Sequence, residues 1–200
     1  QHLNNIVIYM PYFYEGELQL FSMVRAHWID VGGMSTGFGA GRAAQDAWME
    51  GLQFNQLKIY EGGKLNEMLH NMIKDNIRFP ESSLGDLRSQ IAACKLGNRR
   101  ADELFERYGR DTVMAAIRQV FNETEQRCRN AVKQFADGVY EAESFIDDTG
   151  ETPPQPVKIH TKITVKQGAM TIDLSQCSKE RPHGPNCRSL AGARIAYKAI

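Results

Sequence analysis

The sequence predicts an α+β fold: a β-hairpin and a glycine-rich loop, a long antiparallel helical pair, then an antiparallel β segment. Three observations predict it. Residues 6–14 and 17–27 are rich in β-branched and aromatic types and are separated by Glu15-Gly16. Apolar residues recur at helical spacing from Leu84 to Phe135. Val157, Ile159, Thr161, Ile163 and Val165 alternate with polar neighbours. Three sections follow: 1–80, with the hairpin, candidate site motifs, glycine-rich loop and a short helix; 81–137, a helical hairpin; and 138–200, a β-rich section ending in a helix.

Composition narrows the function classes. A chain of 200 residues with 42% hydrophobic and 24% charged content can bury a core. Lys plus Arg equals Asp plus Glu at 24 each, so no basic field exists to hold a phosphate backbone, and nucleic acid is not an expected partner. No apolar run approaches the roughly 20 residues of a membrane helix. Cys94, Cys128, Cys177 and Cys187 are scattered with no C-x-x-C, a pattern of a reducing compartment. A cytoplasmic location is therefore expected. The chain opens at Gln1 on residues that read as the lead-in to a strand, so a section of a longer chain is also expected.

The elements follow in order. Pro11 within the first strand points to a bulge or an edge. Gly32, Gly33, Gly37, Gly39 and Gly41 mark residues 31–47 as a loop, without the G-x-G-x-x-G spacing or lysine of a nucleotide site. Residues 52–60 alternate like a strand closed by Glu61-Gly62-Gly63. Leu65, Met68, Leu69, Met72, Ile73 and Ile77 predict an amphipathic helix over 64–77, with His70 off the stripe. Pro80 ends it, and Ser82 or Ser83 is expected to cap the next helix, which runs to Tyr108-Gly109. Asp111 starts a further helix that Asp137-Gly138 stops. The two long helices are expected to pack antiparallel, with their apolar stripes as core. Strands are expected over 139–147, 156–166 and 169–175. His160 is out of phase with the apolar face and reads as exposed. His183-Gly184-Pro185-Asn186 reads as a turn before a helix from Ser189 to Ile200.

One stretch carries chemistry. Arg25-Ala26-His27-Trp28-Ile29-Asp30-Val31-Gly32-Gly33 sits where the second strand ends. A histidine and a carboxylate on a strand end, followed by permissive glycines, is one way to build a metal or acid–base site. The same residues also serve as ordinary loop-stabilising groups. A hairpin brings the outer ends of its strands together, and those ends carry His2 and His27.

The chain resembles the hydantoinase B/oxoprolinase family. Gln1-His2-Leu3-Asn4-Asn5 stands where that family has T-H-L-P-D, and Arg25 to Gly33 where it has R-A-H-H-x-D-[VI]-G-G. Glu50-Gly51-Leu52, Lys64-Leu65-Asn66-Glu67, Asn76-Ile77-Arg78, Gly85 to Ala93, Arg107-Tyr108-Gly109 and Gly184-Pro185-x-Cys match further on, in the expected order. The resemblance implies part of the B-type subunit of an ATP-dependent, metal-containing cyclic-amide hydrolase acting on hydantoins or 5-oxoproline. The alternatives within it are a subunit of an ATP-dependent ketone carboxylase and a diverged structural subunit that docks the ATP-binding partner. It also implies a divalent metal (Mn, Zn or Fe) held by His2, Asn5 and His27. ATP would be bound by an A-type partner subunit or domain, not by this chain. Asp30 would act as an acid–base group or orient a metal-bound histidine. Two departures bear on this. Asn5 replaces the ligand aspartate, which removes a charge, and Trp28 replaces the second histidine of the H-H pair.

Overall fold

The computed structural model describes residues 2–37, 44, 46–147, 153–181 and 186. Most of the glycine-rich loop, the turn at 182–185 and the helix expected over 189–200 lie outside the described residues. The chain divides into two compact units, Gln1–Gly109 and Arg110–Ile200. The division falls inside the section that the sequence groups as one helical hairpin.

In the first unit, β1 (Asn5–Tyr14) and β2 (Glu17–His27) pair antiparallel from Asn5↔His27 to Tyr14↔Glu17. Their connection is Glu15 and Gly16, both with positive φ (51° and 80°). That is the two-residue turn whose twist matches the strands. A register shift between Tyr12 and Phe13, next to Pro11, is the expected bulge. One hairpin face lies on α3 (Pro80–Tyr108), and Ile6, Trp28, Val31, Ile73, Ile77, Leu84, Leu87 and Ile91 form the core. Gly97 allows close approach: a Cβ there would stand 2.6 Å from Ser22 Oγ. Beside it, Ser22 Oγ donates to Asn98 Oδ1 at 2.7 Å and Asn98 Nδ2 donates to Pro11 O at 3.1 Å.

Between hairpin and α3 lie α1 (Ala47–Glu50), β3 (Tyr60–Glu61), β4 (Lys64–Leu65) and α2 (Glu67–Asp75). The strand expected over 52–60 does not form beyond Tyr60. Gln56 takes a left-handed φ of 53°, which breaks an extended run. Leu52, Phe54 and Ile59 instead pack irregularly against the core. Helix α2 is shorter than 64–77 because Asn66 caps it, its side chain accepting from Leu69 N at 3.0 Å. Met68 is 84% exposed, since the helix faces the core through Leu69 and Ile73.

Helix α3 also departs from expectation at its start. Pro80 occupies the first helical turn after Phe79, so neither Ser82 nor Ser83 is the cap. Ser83 is buried, and its Oγ donates to Asp30 O at 3.2 Å.

The second unit holds α4 (Arg110–Val132) and a sheet of order β5-β6-β7, formed by Gly138–Ile146, Val157–Lys166 and Ala169–Asp173. All neighbours are antiparallel. Gln167-Gly168 is the β6–β7 turn, and Gln167 N donates to the Asp137 carboxylate. Two expectations are overturned here. The apolar stripe of α4 is not core: Val132 is its buried residue, while Val120 and Phe121 are 61% and 70% exposed. His160 is buried, because the chain after β7 continues alongside β6. Cys177 Sγ donates to His160 O at 3.3 Å and Ser178 N to Lys158 O at 2.9 Å. Among the described residues no helix is long and apolar enough to cross a membrane.

Candidate metal centre at the hairpin ends

The hairpin register decides the site. Asn5 opens β1 and His27 closes β2, so they face each other as the last pair of the ladder. Asn5 N donates to His2 O at 3.3 Å, a tight turn that brings His2 back over this end. The His2 and His27 rings then lie 5.0 Å apart between centroids, inclined by 38°. At metal–nitrogen distances of about 2.0–2.1 Å, two imidazoles on one ion have ring centres roughly 5 Å apart, so the pair fits a shared cation. Asn5 Oδ1 is buried and has no hydrogen-bond partner among the described residues. A carbonyl oxygen left in that state is costly unless something electropositive reaches it.

Electrostatics favour neutral imidazole. Burial, then the neighbouring His27, lower the His2 pKa below its ordinary value, against a smaller raising effect of Glu50. A neutral ring is the form that binds metals. Two imidazoles and an amide oxygen form an uncharged nitrogen/oxygen set, compatible with manganese, iron or zinc. Among the described residues no group of three or more His, Cys, Asp or Glu is arranged for a metal.

Asp30 is engaged away from this cluster. Its Oδ1 accepts from Gly32 N at 3.1 Å and pairs with Arg78 Nη2 at 3.1 Å, while Oδ2 accepts from Arg78 N. Arg78 Nη2 also donates to Gly33 O. The carboxylate thus ties the Gly32-Gly33 turn to the α2–α3 junction. Gly32 has φ +80° and Gly51 has φ +126°, and the two pair in a bridge where added side chains would strike backbone. Trp28 is 1% exposed, with Nε1 donating to Gln90 Oε1 at 2.9 Å. It is part of the core under the hairpin end.

Sequence reasoning misses two supports. Glu50 Oε2 accepts from Leu3 N at 2.8 Å and anchors the turn that carries His2. Asn4 is buried, accepts from Trp28 N through its backbone at 2.8 Å and donates from Nδ2 to Trp28 O at 3.2 Å. Glu50 belongs to the Glu50-Gly51-Leu52 motif, but nothing in its spacing links it to residue 3.

Paired histidines at the end of a hairpin, over an α+β core, are the candidate site of this chain. The chain belongs to the hydantoinase B/oxoprolinase family, whose model matches residues 1–200. It is 37% identical over 186 residues to the B-type subunit of the putative D-/L-hydantoinase of Pseudomonas sp. (strain NS671), covering 92% of this chain and 31% of that protein. It is 27% identical over 191 residues to the acetophenone carboxylase delta subunit of Aromatoleum aromaticum (strain EbN1), covering 95% of this chain and 28% of that one. The crystal structure of the ATP-dependent caprolactamase from Pseudomonas jessenii superposes with a TM-score of 0.82 at 26% identity, over 92% of this chain and 31% of that one. The chain thus spans about a third of the length of these relatives.

Proposed function

We propose that this chain is part of the B-type subunit of an ATP-coupled cyclic-amide hydrolase, and that its share of the active site is a divalent metal centre. The observation that carries this reading is the close approach of the His2 and His27 rings at one hairpin end, where Asn5, with its orphaned Oδ1, is the strand partner of His27. The names of the hydantoinase and caprolactamase relatives support the substrate class. When bound, a divalent ion supplies Lewis-acid polarisation of a carbonyl or phosphoryl oxygen.

The chain's own groups do the rest. His2 presents a neutral ring, and Glu50 holds the backbone beside it. His27 is fixed by the β-ladder and by the Trp28 anchor one residue on. Asp30 holds the turn that follows and acts as a positioning residue. ATP is bound by an A-type partner, since no phosphate-cradling motif occurs in this sequence. Ketone carboxylation is the second reading, favoured by the acetophenone carboxylase likeness. A diverged docking role is the third, favoured by Asn5 in place of aspartate.

The test is metal content by plasma emission on the full-length protein purified with its partner. Near-stoichiometric manganese, iron or zinc is expected, falling at least about 10-fold in His2→Ala and in His27→Ala. Asn5→Asp should tighten binding by adding a charged oxygen. Less than about a tenth of an equivalent in the native complex would establish the docking reading. An ATP-consumption screen over hydantoins, 5-oxoproline, lactams and small ketones then separates hydrolase from carboxylase.

A further inference from the structure

Helix α4 is 23 residues long, yet Val132 at its end is its buried residue. Its apolar stripe nevertheless has a strict pattern. Met114, Ile117, Phe121, Thr124, Cys128 and Ala131 recur at alternating spacings of three and four, the a/d seam of a two-helix coiled coil. Phe121 and Thr124, in the middle, are exposed, Phe121 by 70%, and Met114, Ile117, Cys128 and Ala131 are half-buried. A seam of this kind on the surface marks an interaction site rather than a solvated face.

The charges say which partner fits. Arg118 and Glu125 each follow a d position, Ile117 and Thr124, on the same flank of the seam. When two such helices run antiparallel, residues on that flank meet their counterparts. A dyad between Asn122 and Glu123 then seats Phe121 against Thr124 of the second copy, Ile117 against Cys128 and Met114 against Ala131. It also places Arg118 beside Glu125 of the second copy, twice by symmetry. A parallel pair would instead set Val113 and Val120 against those charges and lose both ion pairs. Arg129 on the same helix holds Glu125 Oε1 at 2.8 Å, so the carboxylate is already ordered. We propose that α4 is a homotypic interface: two copies of this chain pair through antiparallel α4 helices. The proposal does not depend on the metal site.

The test uses the full-length protein and its complex. Ile117→Cys should form, under mild oxidation, an interchain disulfide with native Cys128, identified by peptide mass spectrometry and abolished by Cys128→Ser. Within one helix those positions stand about 16 Å apart, beyond the roughly 7 Å limit for a disulfide, so the bond reports a second copy. Arg118→Glu should weaken self-association about 10-fold, since each lost pair counts twice. Adding Glu125→Arg should restore it, which a variant that merely misfolds would not do. A Cys128–Cys128 link alone would replace the antiparallel register with a parallel one and overturn the proposal. So would cross-linking of residue 117 to the ATP-binding partner or to another part of the same polypeptide. Unchanged light-scattering mass in Arg118→Glu would overturn it as well.

Discussion

Asn5 and Asp30 differ by one atom type and have opposite surroundings. Asn5 Oδ1 is buried without a hydrogen bond, whereas both Asp30 oxygens are occupied by Gly32 and Arg78. The carboxylate of Asp30 is fully buried and its Arg78 partner half-exposed, so breaking the pair leaves an uncompensated buried group. Arg78→Ala should cost about 3 kcal/mol, read as a lower urea midpoint at unchanged m. The sequence offers Asp30 both as an orienting group for His27 and as a loop-stabilising residue; the bond from Gly32 N is of the second kind, and Arg78 stands 48 residues away, a separation no local pattern reports. The exposed reading of His160 fails for a related reason. Alternation along β6 reports its two faces, but not that Cys177 and Ser178 bond the strand's edge at His160 and Lys158, where β7 has ended.

At the scale of elements, the hairpin and helices are legible because each depends on local signals, a Glu-Gly turn and apolar residues at helical spacing, while the Asn66 cap and the helix start at Pro80 shift the bounds from those expected. Partners are not. The periodicity of α4 states that one face is apolar, and it is silent on what covers that face. The packing of β1–β2 on α3 yields two predictions. In an open helix Gly97→Ala would stabilise by about 1 kcal/mol. Here the new Cβ meets Ser22 Oγ, so the variant should be less stable, and combining it with Ser22→Gly should recover the loss in a double-mutant cycle. Tyr12 is 3% exposed, and burial together with the Asp102 carboxylate pushes its hydroxyl up to about 12. A raised acid contributes stability that is full below its unfolded value of about 10 and is lost as pH rises towards the folded value. Urea titrations from about pH 9 to 12 should therefore show a fall that Tyr12→Phe flattens.

For the whole molecule, the division at Gly109 is hidden in the sequence because helical pattern resumes immediately at Arg110 and Asp111. Gly109 itself marks it, with φ +78° at the end of α3. The glycine-rich loop cannot distinguish an amide ring from a ketone by its composition, so the substrate is not legible there. The proposed division of labour has a direct consequence. Phosphate-release assays on the isolated chain should show no ATP turnover, and activity should return when the ATP-binding component is added. Turnover by the chain alone at the rate of the complex would overturn the two-component reading.

The packing of Trp28 gives the protein an optical probe of the proposed metal site. The chain has two tryptophans, Trp28 at 1% exposure and Trp48 at 80%. Iodide should quench the red-shifted emission of Trp48 and leave a blue-shifted component from Trp28. That remaining indole sits next to His27 in sequence and is hydrogen-bonded to Asn4 through its backbone and to Gln90 through its ring. Titrating a paramagnetic ion such as manganese into iodide-quenched protein should dim the Trp28 band alone, reading occupancy without any turnover.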